Sequence, residues 1–282
     1  YWEATGDSDV AGVVASHLLD AADAVPDDAD ADDLRLAAVT HLERAGDRAR
    51  SLAASDEAMR YYERALALAT SPADLARLSE RAGVMARRAN RPERALELLE
   101  QARTGHEALG DVRAAAGVAA HAGDVLGGLD RTAEALELMK ASHARHDGDT
   151  SDPNLAQLAT SIGVALMTTG QLDEGDEWLE RALVASEASG AWDTLCRALN
   201  ARAIWRQQAG RVVEGRILMR GALELAIQHG LHGRVAMQSA NIAVEQVFHD
   251  LDDALALCLA GREASRQTGD LFVGAFALSV LE

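Results

Sequence analysis

The chain has 282 residues, of which 48% are hydrophobic, only 4% aromatic and four proline, a composition of close-packed helices rather than of sheets built on β-branched and aromatic side chains. Its formal charge is -18, with acidic residues crowded into the first 33 positions, so phosphate backbones and anionic membrane surfaces are repelled, and neither nucleic acid nor membrane is expected as a partner. Cys196 and Cys258 stand far apart with no CxxC or zinc-finger spacing, and no run of 18 apolar residues occurs, which points to a cytoplasmic chain with inert thiols and no membrane span.

The first element expected is a helix near residues 8 to 24, followed by the acidic stretch "PDDADADD" at 26–33. That stretch resembles a calcium loop in composition only, lacking Gly at the sixth position and Glu at the twelfth, and reads as a solvated interhelical loop. Residues 1–33 are therefore taken as an N-terminal helix and acidic linker, joining an upstream module to the rest. The start at Tyr1 rather than Met suggests a piece of a longer polypeptide.

From Leu34 onward one pattern recurs. "DEAMRYYERALALA" at 56–69 has counterparts marked by Ala58, Ala95, Ala135, Gly175, Gly215 and Ala254, at intervals of 37, 40, 40, 40 and 39 residues. A fixed period of this size means stacked supersecondary units, none of which can bury its apolar face alone. Twelve residues before the markers stand Gly46, Gly83, Gly123, Gly163, Ala203 and Ile242, mostly small residues suited to a close helix crossing. Five residues before the middle four stand Asn90, Asp130, Gly170 and Gly210, types that tolerate the left-handed backbone of a tight turn. Large residues at +4 (Tyr62, Leu99, Met139, Leu179, Met219, with Cys258 last) and small ones at +7 complete a single apolar stripe. Both Tyr61 and Tyr62 are thereby assigned to packing rather than to a site.

This arrangement of small residue, twelve-residue step, marker, large residue at +4 and small residue at +7 resembles the tetratricopeptide repeat (TPR), in six copies from 34 to 282. The period departs from the family's usual ~34 residues, the excess lying in the second helix and its exits "ALGD", "ASGAWD", "QHGLHG" and "QTGD". The resemblance implies an all-α, right-handed α-solenoid of about six and a half helix-turn-helix repeats. "GDLFVGAFALSVLE" at the end reads as the first helix of a seventh unit, whose Phe272, Val273, Phe276 and Val280 are expected to pack on a second copy, giving a homo-oligomer. The long period and the opening "SDVAGVVASHLLDAADAVPDD" also look like the helical-repeat regions of bacterial AAA/STAND-type ATPase regulators and adenylate or guanylate cyclase-like proteins.

Chemistry-bearing motifs are missing. There is no phosphate loop, no HExxH and no GxSxG; the sole lysine, Lys140, follows Met139 and reflects compositional bias. "GDVLGGLD" lacks the preceding strand that a dinucleotide site needs. In "HARHDGD", His143, His146, Asp147 and Asp149 read as a helix exit rather than a metal site. No enzyme activity, no cofactor and no metal are expected.

In the TPR family the first helices line a concave binding surface. Carried over by position, that surface comprises Arg77, Glu80, Val84 and Arg87, then Gln157, Thr160, Val164 and Met167, then Arg197, Asn200, Ile204 and Gln207. It is mixed in charge and cannot build a lysine-based carboxylate clamp. Arg77, Arg87, Arg88, Arg197 and Arg206 are either acidic-peptide contacts or ordinary helix-surface ion pairs. The function expected is a non-enzymatic interaction and regulatory domain of a larger bacterial signalling protein, binding a peptide, a partner protein or another domain of its own chain. The alternative is a small-molecule inducer sensor with Trp178, Trp192 and Trp205 as pocket lining.

Overall fold

The structure is a computed structural model, and it describes residues 10–26, 30–145, 151–247 and 249–268. Among these there are thirteen α-helices and no strand. The chain divides into two compact units, residues 1–129 and 130–282.

The first unit holds α1 (Ala11–Ala24), α2 (Ala31–Ser51), α3 (Ser55–Leu68), α4 (Pro72–Arg88), α5 (Pro92–Ala108) and α6 (Val112–Gly128). Each helix packs on the next from α2 onward, and α1 packs on α2. The second unit holds α7 (Thr132–His143), α8 (Pro153–Thr168), α9 (Leu172–Ser189), α10 (Trp192–Gln208), α11 (Val212–Gln228), α12 (His232–Gln246) and α13 (Leu251–Thr268), again packed in chain order. The leading helix and the pairs α2/α3, α4/α5, α8/α9, α10/α11 and α12/α13 stand as expected from the repeat. The seventh unit's first helix, with Phe272 and Phe276, falls at 269–282 and lies outside the described residues. Ala31–Asp33 form the first turn of α2, where Asp32 and Asp33 suit the helix dipole, so the border at 33/34 falls inside that helix.

Local sequence explains where helices start and stop. Three of the four prolines (Pro72, Pro92 and Pro153) open helices, where a missing N–H costs nothing. Ser71, Asp111 and Asp152 accept from backbone N–H groups of the turns they cap. Asn90, Asp130, Gly170 and Gly210 have φ of 56°, 60°, 79° and 81°, the left-handed turns expected at those positions. Behind three of them, Arg91, Gln171 and Arg211 each donate a backbone N–H to the carbonyl five residues back, at 2.8–2.9 Å, closing the preceding helix end.

The register of the core follows the repeat. Ala58, Ala95, Ala135, Gly175, Gly215 and Ala254 are all buried, and so is every +4 residue from Tyr62 to Cys258. Full burial of each large +4 side chain contributes about 1.5–3 kcal/mol. The small residues are required by proximity: a Cβ on Gly83 would lie 2.8 Å from Leu99, and one on Gly163 would lie 2.9 Å from Leu179. Tyr62 is fully buried, with its hydroxyl donating to Asp47 Oδ1 at 2.7 Å. Burial, with Asp47 beside it, pushes the phenol's pKa up. Tyr61 is half-buried and backs the leading helix, where a Cβ on Gly12 would lie 2.7 Å from its hydroxyl. Packing accounts for both tyrosines.

Candidate functional site

In the first unit the candidate residues sit on α4, and partners from neighbouring helices hold them. Arg77 donates to Glu43 of α2 and, at 2.8 Å, to Asp74. Arg81, not singled out from the sequence, pairs with the same Glu43 at 2.7 Å, approaches Asp47 at 3.3 Å and lies 5.8 Å over the Tyr62 ring. Glu80 meets His106 Nε2 of α5 at 3.1 Å; burial raises its carboxyl pKa, against the pull of His106 and Arg81. Arg87 is half-buried and Arg88 exposed. Arg77 is thus engaged in ion pairs with Glu43 and Asp74.

In the second unit the candidates lie on α8 and α10 and are joined to each other and to α12. Arg197 donates to Ser161 Oγ of α8 at 3.1 Å. Asn241 of α12 donates to Asn200 Oδ1 at 3.1 Å, and Gln207 donates to Glu245 of α12 at 3.0 Å. Arg197, Asn200, Gln207 and Asn241 are all half-buried, as is Gln157. Beneath them Gln238 is buried, its amide N–H donating to the Cys196 carbonyl at 3.1 Å. Three successive first helices thus carry one continuous polar ladder. Ser161, Gln238, Asn241 and Glu245 were not singled out in the sequence because none stands at the four positions carried over from the family, and the pairs that Ser161, Asn241 and Glu245 make span 36, 41 and 38 residues rather than one period.

Two candidates need correction. Thr160 was placed on the open surface, but it is fully buried, on a helix packed against α7, α9 and α10, and its hydroxyl donates to the Ala156 carbonyl at 2.8 Å. Arg206 is also buried, paired with Asp176 at 2.9 Å and Glu214 at 3.3 Å, with its guanidinium 4.0 Å over the Trp205 ring.

The three tryptophans stand in separate surroundings. Trp178 is buried with His143 edge-on at 4.7 Å, and Trp192 stacks on His229 at 4.3 Å, while Trp205 lies under Arg206. A shallow depression is lined by Asp176, Glu177, Glu180, Arg181 and Arg202, with no tryptophan in its lining. His146, Asp147 and Asp149 lie outside the described residues. Among the described residues no group of three His, Cys, Asp or Glu side chains is disposed to hold a metal, and no helix is long and apolar enough to cross a membrane. Both cysteines are buried and free, and burial pushes the Cys196 thiol up to about 11.

The paired helices, the buried small and +4 residues and the left-handed turns define a TPR-like helical-repeat fold. Among solved structures it is similar to the Rap conjugation gene regulator of plasmid pLS20 in complex with the Phr* peptide (13% identity, covering 86% of this chain and 70% of that one, TM-score 0.61). It is also similar to the apo form of the quorum sensor NprR from B. thuringiensis (10%, 88% and 77%, TM-score 0.63) and to BtubC from P. vanneervenii (16%, 79% and 91%, TM-score 0.58). Identities this low show the fold alone. No protein-family model matches the chain, and no curated protein matches it.

Proposed function

We propose that the chain is a non-enzymatic recognition module in which the first helices α8, α10 and α12 receive a segment of polypeptide, either a peptide, a partner protein or another domain of a longer regulatory chain. The observation that carries this reading is the half-buried ladder of Arg197, Asn200, Asn241 and Gln207. Side-chain amides carry both a donor and an acceptor, the pair a peptide bond also carries, so such a face can exchange its internal hydrogen bonds for bonds to a main chain. One solved relative in fold holds a peptide, which supports the same reading. The inducer-sensor alternative has Trp178, Trp192 and Trp205 as candidate lining; these rings pack on different partners, His143, His229 and Arg206.

The test is selection from a random peptide display library on the immobilised chain, followed by titration of the enriched peptides against an Asn200→Ala, Asn241→Ala double variant. Each net hydrogen bond is worth about 0.5–1.5 kcal/mol, so the double variant is expected to bind about 5- to 150-fold more weakly. Equal affinity for both proteins would overturn the site. No enrichment, together with a metabolite that raises the melting temperature, would overturn the peptide reading in favour of small-molecule sensing.

A further inference from the structure

Charge on the first helices of the second unit is already committed. α8 carries no Asp, Glu, Lys or Arg side chain. On α10, Arg202 and Arg206 turn to Asp176 of α9 at 2.9 Å each, and Arg197 donates to Ser161 of α8. The remaining charge of α10, Asp193, takes Arg234 of α12 through two bonds of 2.7 and 2.8 Å. The carboxylate of α12, Glu245, accepts from Arg216 of α11 and from Gln207. A charged ligand would therefore compete with partners already in place.

What stays open on that face is aliphatic. Ile204 of α10 and Val244 of α12 are exposed to 38% and 43%. Ile204 stands four residues after Asn200 and three before Gln207, and Val244 stands three after Asn241 and one before Glu245. Residues three and four apart share a helix face. Both aliphatic side chains thus fall between the Asn200–Asn241 bond and the Gln207–Glu245 bond, which join the same two helices. Val164, Ile204 and Val244 follow one another at steps of 40 residues on three successive first helices, Val164 being half-buried. In the first unit the same step from Val84 reaches Asp124 on α6, so this apolar row belongs to the second unit.

We propose that Ile204 and Val244 form a side-chain subsite, and that the ligand of the second unit is an extended, uncharged stretch of polypeptide with a Leu, Ile or Val side chain resting on them. The inference rests on the reading of this face as a polypeptide site and adds the class of polypeptide. In an extended chain alternate side chains point to one side. One aliphatic residue laid on the row therefore brings its neighbouring main-chain N–H and C=O groups to the amides that flank it, and the aliphatic contact selects the sequence while the amides hold the backbone.

Retention of N-acetylated, C-amidated peptide libraries on the immobilised chain, read by mass spectrometry, tests this. Each library is randomised except for a central residue fixed as Leu, Gly, Asp or Lys. The Leu library is expected to be retained about fivefold or more over the Asp and Lys libraries, as suits a partly buried aliphatic side chain. In an Ile204→Ser, Val244→Ser variant that advantage should fall to about twofold or less, with the Gly library retained as on the parent chain. An Ile204→Ala, Val244→Ala variant gives the same comparison if serine lowers the melting temperature. Equal retention of the Leu and Asp libraries by the parent chain, a preference for Asp or Lys, or a leucine advantage that survives in both variants would overturn the inference. In those cases a Gly library retained by the parent chain and lost with Asn200→Ala, Asn241→Ala would leave the polypeptide site standing, whereas retention of no library would overturn both.

Discussion

Gly215 and Gly221 lie six residues apart on α11, and alanine should act on them with opposite sign. At Gly221 an added Cβ meets nothing within 4 Å, so the substitution brings only the gain in helix propensity, about 0.5–1 kcal/mol. At Gly215 it would lie 2.7 Å from the Ala203 carbonyl oxygen and 2.5 Å from Gln207 Cγ. The carbonyl belongs to α10 and cannot give way, and Gln207 is held by its bond to Glu245. Overpacking of this kind costs about 1–3 kcal/mol, which exceeds the propensity gain. The two variants should therefore differ by about 2 kcal/mol, corresponding to a melting-temperature difference of about 4–8 °C for a unit of this size. Three of the four tryptophans, Trp178, Trp192 and Trp205, stand in the second unit, so their fluorescence in a denaturant titration follows the unit in question. If Gly215→Ala is as stable as Gly221→Ala, the close crossing of α10 and α11 is not where the repeat register puts it.

Ala182 is fully buried at the +7 position, so Ala182→Trp should lower the unfolding midpoint by the equivalent of about 1–3 kcal/mol or more, while Glu180→Ala, at an exposed partner of Arg202, should stay within about 1 kcal/mol of the parent. Because the Cys196 thiol is pushed from 9.0 to about 11, its thiolate fraction at pH 8 is about a hundredfold lower than in an ordinary thiol, and both cysteines should label with iodoacetamide only on unfolding; rapid labelling of native protein would contradict their burial. Glu80 has its carboxyl pKa raised by burial, so the native state keeps a proton that the unfolded chain releases first. Its contribution to stability should decline as pH climbs from the ordinary glutamate range through the raised native value. Urea midpoints of the parent, measured relative to Glu80→Gln across that window, should fall with rising pH; a rise would reverse the assignment.

The repeat was legible because its signals are local. A left-handed turn needs Gly, Asn or Asp at that one position, and a close crossing needs a small residue at that one position, so Asn90, Gly170, Gly163 and Leu179 announce their roles without reference to anything distant. The polar face was legible only in part. Arg197, Asn200 and Gln207 were placed by the family's concave-surface positions, but their partners Ser161, Asn241 and Glu245 belong to neighbouring units at separations of 36, 41 and 38 residues, which no single period predicts.

By itself the sequence determined the helical class, the near-40-residue period, the turns and the buried stripe, since each rests on backbone preference and burial repeated at fixed spacing. Only the tertiary structure decided which positions on the first helices stay accessible and which charges are already used. Thr160 and Arg206 have the residue types of a surface site, yet one is fully buried and bonded within its own helix, and the carboxylates of Asp176 and Glu214 neutralise the other. Exposure and pairing are properties of the gap between helices, and that gap is set jointly by side chains some 40 residues apart, beyond the reach of any local pattern.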